Sequence, residues 1–428
     1  PAELMCSIAR HCNGIPMATQ TIDIPGYKLF PSPRNLHREV FALQVFVPYP
    51  YALIVLDDFH FTRLPEIRAE LRGNWNEMEK ISADGEVAAN HFSFRSNAVD
   101  QLKFAIQLTN QNLSVSELRL DQGDKFITAK KVALDFSTMK VYFTDVYSTV
   151  NTDPILQLLG HQVVVNMAPY QFATAPTVRL NGSLLVTNVD VADLHFLVEG
   201  NQFHWANLFA DQISGQVDWV GLTLEVTNIQ ATAYHNGTID GTAFFDFTPA
   251  AGVDFPLDFS GTNIDLRSFV TGLKGKTNQL EGRINGRLVF DAANTDDPKS
   301  WRGHGFVSLH DGLLWDVPLF GIFSPILNKL VAGAGNNRAR EATATFAIRD
   351  GAVYTDDLEI RSTGLRLQYR GSADFDQHID ARVEAIFLRD AWVIGPVVSM
   401  ALAPISKILE YQVSGIMSDP KIEPVYIP

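Results

Sequence analysis

The sequence predicts a mainly β protein, an antiparallel array of hairpins with only a few short helices. Three observations carry that prediction. Phe occurs 28 times, an excess that favours strands and apolar linings. From about Phe41 onward, apolar and polar residues alternate in short runs, the period of half-buried strands. Gly, Asn and Asp break those runs at turns, and the strand–helix–strand rhythm of a parallel sheet does not appear.

In chain order, residues 1–40 make a first segment, where Pro16, Pro25, Pro31 and Pro33 interrupt any strand. Cys6 and Cys12 flank His11 there, but no second Cys/His cluster completes a metal site. They read first as unpaired thiols of a short helix, with a disulfide as the alternative. Residues 41–175 form a second segment, and residues 176–428 a third, opening where "TAPTVRLNGSLLVTNVDV" restarts the alternation. No Ser/Gly linker divides the last two, so one continuous sheet is expected across them.

Three strand–turn–strand phrases recur: Phe104-x-Ile106-x-Leu108 before Asn110-Gln111, Ile229-x-Ala231-x-Ala233 before His235-Asn236-Gly237, and Phe346-x-Ile348 before Asp350-Gly351. Gly85, Gly215, Gly305 and Gly371 each read as the opening of a strand. Such degenerate repeats predict hairpins stacked side by side in an elongated, twisted sheet. Helical signals are few: besides a short helix within residues 1–20 and the brief Asn74–Ile81 segment, three places stand out. Asp153-Pro154 opens a helix over 154–160, Ser324-Pro325 opens an amphipathic one over 324–333, and a third is expected over 397–410.

Charge and motifs exclude several functions. A net charge of −14 leaves no basic surface for nucleic acid and no electrostatic pull toward anionic lipid heads. Gly275-Lys276-Thr277 matches only the tail of a phosphate loop, because Val270 stands where its first Gly is required. There is no His-Glu-x-x-His, and His195, His204, His304 and His310 read as polar strand positions, the first two flanking a Gly turn. Asp57-Asp58, Asp296-Asp297 and Asp356-Asp357 fall at turns or strand ends, where neighbouring carboxylates point apart. Asp374 and Asp376 share a face but lack the rest of a calcium loop. With no nucleophile elbow either, no catalytic, cofactor-binding or metal-binding set can be assembled, and the chain reads as a non-enzyme. Apolar runs such as Val40–Leu56 and Ala391–Ser406 are short and Pro-interrupted, so no membrane-spanning helix is expected within these residues.

The C-terminal region is the most distinctive. Leu365, Leu367 and Tyr369 alternate with Arg366, Gln368 and Arg370, and the chain closes on Tyr411-x-Val413-x-Gly415-x-Met417-Ser418-Asp419-Pro420. This phrase resembles the C-terminal region of the AsmA-like family of bacterial envelope proteins, over about residues 180–428. The resemblance implies that the sheet curls into an open groove with an apolar lining for lipid. It also implies a periplasmic location in a diderm bacterium, with an inner-membrane anchor N-terminal to these residues.

The implied function is a lipid-binding or lipid-transfer conduit carrying phospholipid, or another acyl-chain lipid, to the outer membrane. Other classes are a scaffold assisting outer-membrane protein assembly and a secreted β-array adhesin. The lining residues are those that alternate cleanly with polar partners: Phe245, Phe247, Phe255, Leu257 and Phe259, then Leu365, Leu367 and Tyr369. On periodicity alone, the same residues could be the ordinary core of a closed sandwich.

Overall fold

The protein is described by a computed structural model covering residues 20–23, 59–63, 65–73, 81–94, 97–152, 168, 170–205, 208–274, 280–313, 339–362, 365–387, 408–417 and 419–425. It is mainly β: the described strands belong to one antiparallel sheet that does not close into a barrel. In order they are β1 (Gln20–Asp23), β2 (Phe59–Phe61), β3 (Glu66–Arg72), β4 (Ser82–Phe94), β5 (Asn97–Thr109), β6 (Asn112–Gln122), β7 (Lys125–Asp135) and β8 (Lys140–Ser148). Next come β9 (Tyr170–Phe172), β10 (Thr177–Leu185), β11 (Asn188–Trp205), β12 (Leu208–Val220), β13 (Thr223–Ala233), β14 (Gly237–Asp246) and β15 (Leu257–Asp265). One helix, α1 (Leu266–Lys274), precedes β16 (Glu281–Ala292), β17 (Arg302–Leu313), β18 (Ala339–Arg349) and β19 (Ala352–Ser362). The chain ends with β20 (Leu365–Asp374), β21 (His378–Phe387), β22 (Ile408–Ile416) and β23 (Asp419–Pro424).

Two compact units are distinguished. The first comprises Pro1–Ala168, Thr174–Glu199 and Asp218–Gly221; the second comprises Pro169–Ala173, Gly200–Val217 and Leu222–Pro428. β10, where the alternation restarts, belongs with the strands before it and pairs with both β8 and β11.

The three hairpin phrases form as their turn residues dictate. Asn110-Gln111 joins β5 to β6 and Asp350-Gly351 joins β18 to β19, both residues of each turn lying at positive φ. That pair of angles matches the right-handed twist of the flanking strands. Tyr234, His235 and Asn236, also at positive φ, join β13 to β14.

The glycines read as strand openings instead lie inside β4, β12, β17 and β20. For Gly85, Gly305 and Gly371 the reason is that a side chain would collide; a Cβ on Gly85 would meet the Arg68 carbonyl oxygen at 2.4 Å. A Cβ on Gly305 would meet the ring of Phe346 at 2.5 Å, and one on Gly371 would meet the Asp380 carbonyl oxygen at 2.2 Å. His195 and His204 likewise lie within β11, not around a turn.

The helices expected at 154–160 and 324–333, the pair Cys6/Cys12, Asp57-Asp58 and Gly275–Thr277 lie outside the described residues. Of the helix expected over 397–410, only residues 408–410 are described, and they are the start of strand β22. α1 was not foreseen. Asp265 caps it, accepting hydrogen bonds from the Ser268 N–H at 2.9 Å and hydroxyl at 2.7 Å.

Four of the register shifts in the ladder lie beside an exposed residue at positive φ: Glu117 in β6, Asp145 in β8, Asn228 in β13 and Asn263 in β15. Bulges of this kind bend a strand and increase its twist. Two are held alike: the Asp145 N–H donates to Asn181 Oδ1 at 2.8 Å, and the Asn263 N–H to Asn285 Oδ1 at 2.7 Å. A further shift, between β18 and β19, uses Asp357, which accepts from the Thr345 N–H and hydroxyl, both at 2.8 Å. The pair Asp356-Asp357 is thus a bulge fixture within β19.

Candidate functional site

Directly opposed residues share a face of the sheet, so the registers sort the described side chains of β14 to β22. Leu257 lies opposite Phe290, then Gly303, Ile348, Val353, Ala373 and Ile379. Two residues along, Gly241 lies opposite Phe259, then Leu288, Gly305 and Phe346. Ile239, Gly261, Gly286, Val307 and Ala344 make the next row, and Ile264, Ile284, Leu309, Ala342, Ile360 and Leu367 the last. These four rows contain no charged side chain.

The opposite face is ionic. Arg287 forms a bidentate pair with Asp258, its shorter bond 2.5 Å. Glu359 accepts from Arg366 at 2.7 Å, from Gln368 at 3.2 Å and from Arg361. Arg382 meets Glu410 at 2.7 Å. Burial alone would raise the Glu359 carboxyl; the hydrogen bonds from Gln368, Arg361 and Arg366 outweigh it and hold the group below its usual range.

The apolar face is not uniformly open. At one end of the strands, α1 lays Leu266, Phe269 and Val270 over it, and the row from Ile264 to Leu367 is core. At the other end, Phe255, Phe290 and Trp301 pack edge to face with centroids 5.2–6.0 Å apart, and Trp301 reaches Phe375 at 5.4 Å. That aromatic wall buries Phe290, Ala293 and Ile348.

Between the two walls lies a strip crossing β14 to β18. Its floor is Gly261, Gly286 and Ala344, with the rings of Phe259 and Phe346 lying over Gly241 and Gly305. All of these are half-buried, and Val307 at the centre is 37% exposed. The two rows are about 7 Å apart and the five strands span roughly 19 Å. The strip stops at β20–β22, where Tyr369, Val383 and Val413 are fully buried.

The expected lining residues therefore divide. Phe259 lies in the open strip, and Leu257 and Phe255 build its aromatic wall. Phe255 precedes β15 rather than belonging to it. Phe245 is half-buried opposite Leu224, while Phe247 follows β14 and is 48% exposed. Leu367 and Tyr369 are each 1% exposed and serve as core, since α1 and its cluster close that part of the face. Leu365 begins β20, but its side chain lies outside the described residues.

The first unit presents a second apolar face that the choice of lining residues passed over. Leu102, Phe104, Ile106 and Leu108 of β5 are half-buried there, as are Leu113, Val115, Leu118 and Leu120 of β6. Val132 and Leu134 continue it to Phe143 and Val141 of β8. The same alternation marked these strands in the sequence.

His195 lies between two carboxylates. Its Nδ1 lies 2.5 Å from Asp218 and its Nε2 3.1 Å from Asp193 on an exposed face. The hydrogen bond to Asp218 raises its pKa. His304 faces Asp291 at 3.2 Å. Among the described residues, no group of three or more His, Cys, Asp or Glu could hold a metal ion, and no helix is long and apolar enough to cross a membrane. No protein-family model, curated protein or solved structure matches the chain.

Proposed function

We propose that the chain is part of a non-enzymatic periplasmic conduit that binds phospholipid acyl chains and supports their transport to the outer membrane. The observation that carries this reading is the strip over Gly261, Gly286 and Ala344: apolar, walled on both sides and accessible at Val307. A hydrocarbon chain binds by area, at about 0.8 kcal/mol per fully buried methylene, and needs no directed partner. Half-burial of a dozen methylenes along such a strip would contribute roughly 5 kcal/mol. The C-terminal phrase ending Ser418-Asp419-Pro420 supports the same reading through its resemblance to the AsmA-like envelope proteins.

The test pairs Phe259→Asp with Val307→Asp, which sets two carboxylates in the strip. The parent chain is expected to carry phospholipid through purification, detected by mass spectrometry, and to move a fluorescent phospholipid between vesicles. The variant is expected to keep the far-UV dichroism of the parent and lose both properties. Unfolding would mark the strip as sealed core, since buried unpaired carboxylates cost several kcal/mol. Undiminished lipid loading would remove these residues from the path.

A further inference from the structure

Among the described residues no register joins the outer side of β23, and that edge is almost stripped of donors. The Val425 N–H donates to the Glu410 carbonyl at 2.8 Å, which makes 410 and 425 a hydrogen-bonded pair of the antiparallel ladder. The pairs Gln412/Glu423, Ser414/Lys421 and Ile416/Asp419 stand in phase with it. The odd-numbered residues of β23 therefore turn their N–H groups inward, toward β22. Pro420, Ile422 and Pro424 occupy the outward positions, and proline has no N–H to offer. An incoming strand would find one donor, on Ile422, where an ordinary edge of this length offers three. Asp419, Lys421 and Glu423 add charge along the same edge. Proline at the inward positions would instead have cost ladder bonds to β22, and none is placed there.

We infer that β23 is a terminator: its two outward prolines keep the C-terminal edge of the sheet from pairing with the same edge of a second copy of this chain. The inference is independent of the lipid reading, because it concerns backbone donors and not the apolar face.

The test replaces both prolines, Pro420→Val with Pro424→Val, which restores two outward donors without touching a bond to β22. Light scattering across a concentration series should show one constant mass for the parent and a concentration-dependent doubling for the variant. A folded variant that keeps the parent's mass throughout overturns the inference. A second readout covers weak association. Antiparallel self-pairing about Ile422 sets Lys421 of one copy opposite Glu423 of the other. With Cys6 and Cys12 replaced by Ser, Lys421→Cys and Glu423→Cys should form intermolecular disulfides when both proline replacements are present and not when the prolines are kept. Equal crosslinking in both backgrounds overturns the inference as well.

Discussion

Single residues separate what is core from what merely looks apolar. Leu367 and Phe259 occupy equivalent alternating positions in the sequence, yet Leu367 is sealed and Phe259 lies in the open strip. Alternation shows which face a residue takes; only the cover over that face decides its exposure, and cover comes from distant chain. Leu367→Ala should therefore cost about 2–5 kcal/mol in urea unfolding, the range for a fully buried leucine. Ser148 gives the opposite expectation. Its hydroxyl is buried on the apolar face of the first unit with no hydrogen-bond partner among the described residues. Ser148→Ala removes a desolvated polar group and should raise stability by about 1 kcal/mol. His195 supplies the pH dependence. Its pKa is raised by Asp218, so the pair's contribution is complete below the ordinary histidine value of about 6.5 and fades as pH rises through the raised folded value. The ring is about half exposed, so the effect belongs in the ~0–1 kcal/mol range of surface pairs. Titrating the His195 ring by NMR, with His195→Asn as control for the melting temperature, checks both direction and size.

Elements were legible where their signals are local. Asp350-Gly351 specifies its hairpin within two residues, because both must take positive φ. The bulges were not legible, since each needs a register between two strands before the extra residue shows. Nor was the reason for strand glycines: Gly305 is explained by Phe346, far along the chain. α1 did carry a faint signal, Leu266, Phe269 and Val270 at helical spacing after Asp265. Nine residues with Gly272 inside were too few for it to stand out. Two element-level expectations follow. Asn285→Ala removes the acceptor that holds the Asn263 bulge and should cost about 1 kcal/mol. Asp265→Ala removes the cap of α1 and should cost about 0.5–2 kcal/mol, while exposing Ile264 and Leu309. If α1 walls the strip, this variant should also bind more of an environment-sensitive apolar dye than the parent. Unchanged dye binding alongside a lost cap would remove α1 from that role.

At the scale of the whole molecule, the net charge and the hairpin grammar were readable from the start, because neither depends on tertiary contact. The walled strip was not, being a joint product of five strands, a helix and an aromatic cluster. The described registers all join strands that are consecutive or have one strand between them, the latter being β1 with β3, β2 with β4, β8 with β10 and β9 with β11. A sheet assembled from nearest neighbours behaves like a one-dimensional array, whose parts can melt separately. Urea unfolding followed by far-UV dichroism and by tryptophan fluorescence is expected to give non-coincident transitions; a single shared transition would count against this. The same feature bears on birth as well as on melting. Among the described strands, none has to wait for a partner made much later, so little slow, long-range loop closure stands between their synthesis and their pairing. A chain emerging N-terminus first can lay most of the described strands against the one just finished and the others across one intervening strand. Growth of this kind leaves an unpaired edge at each stage, and the outward Pro420 and Pro424 leave the edge of β23 poor in donors.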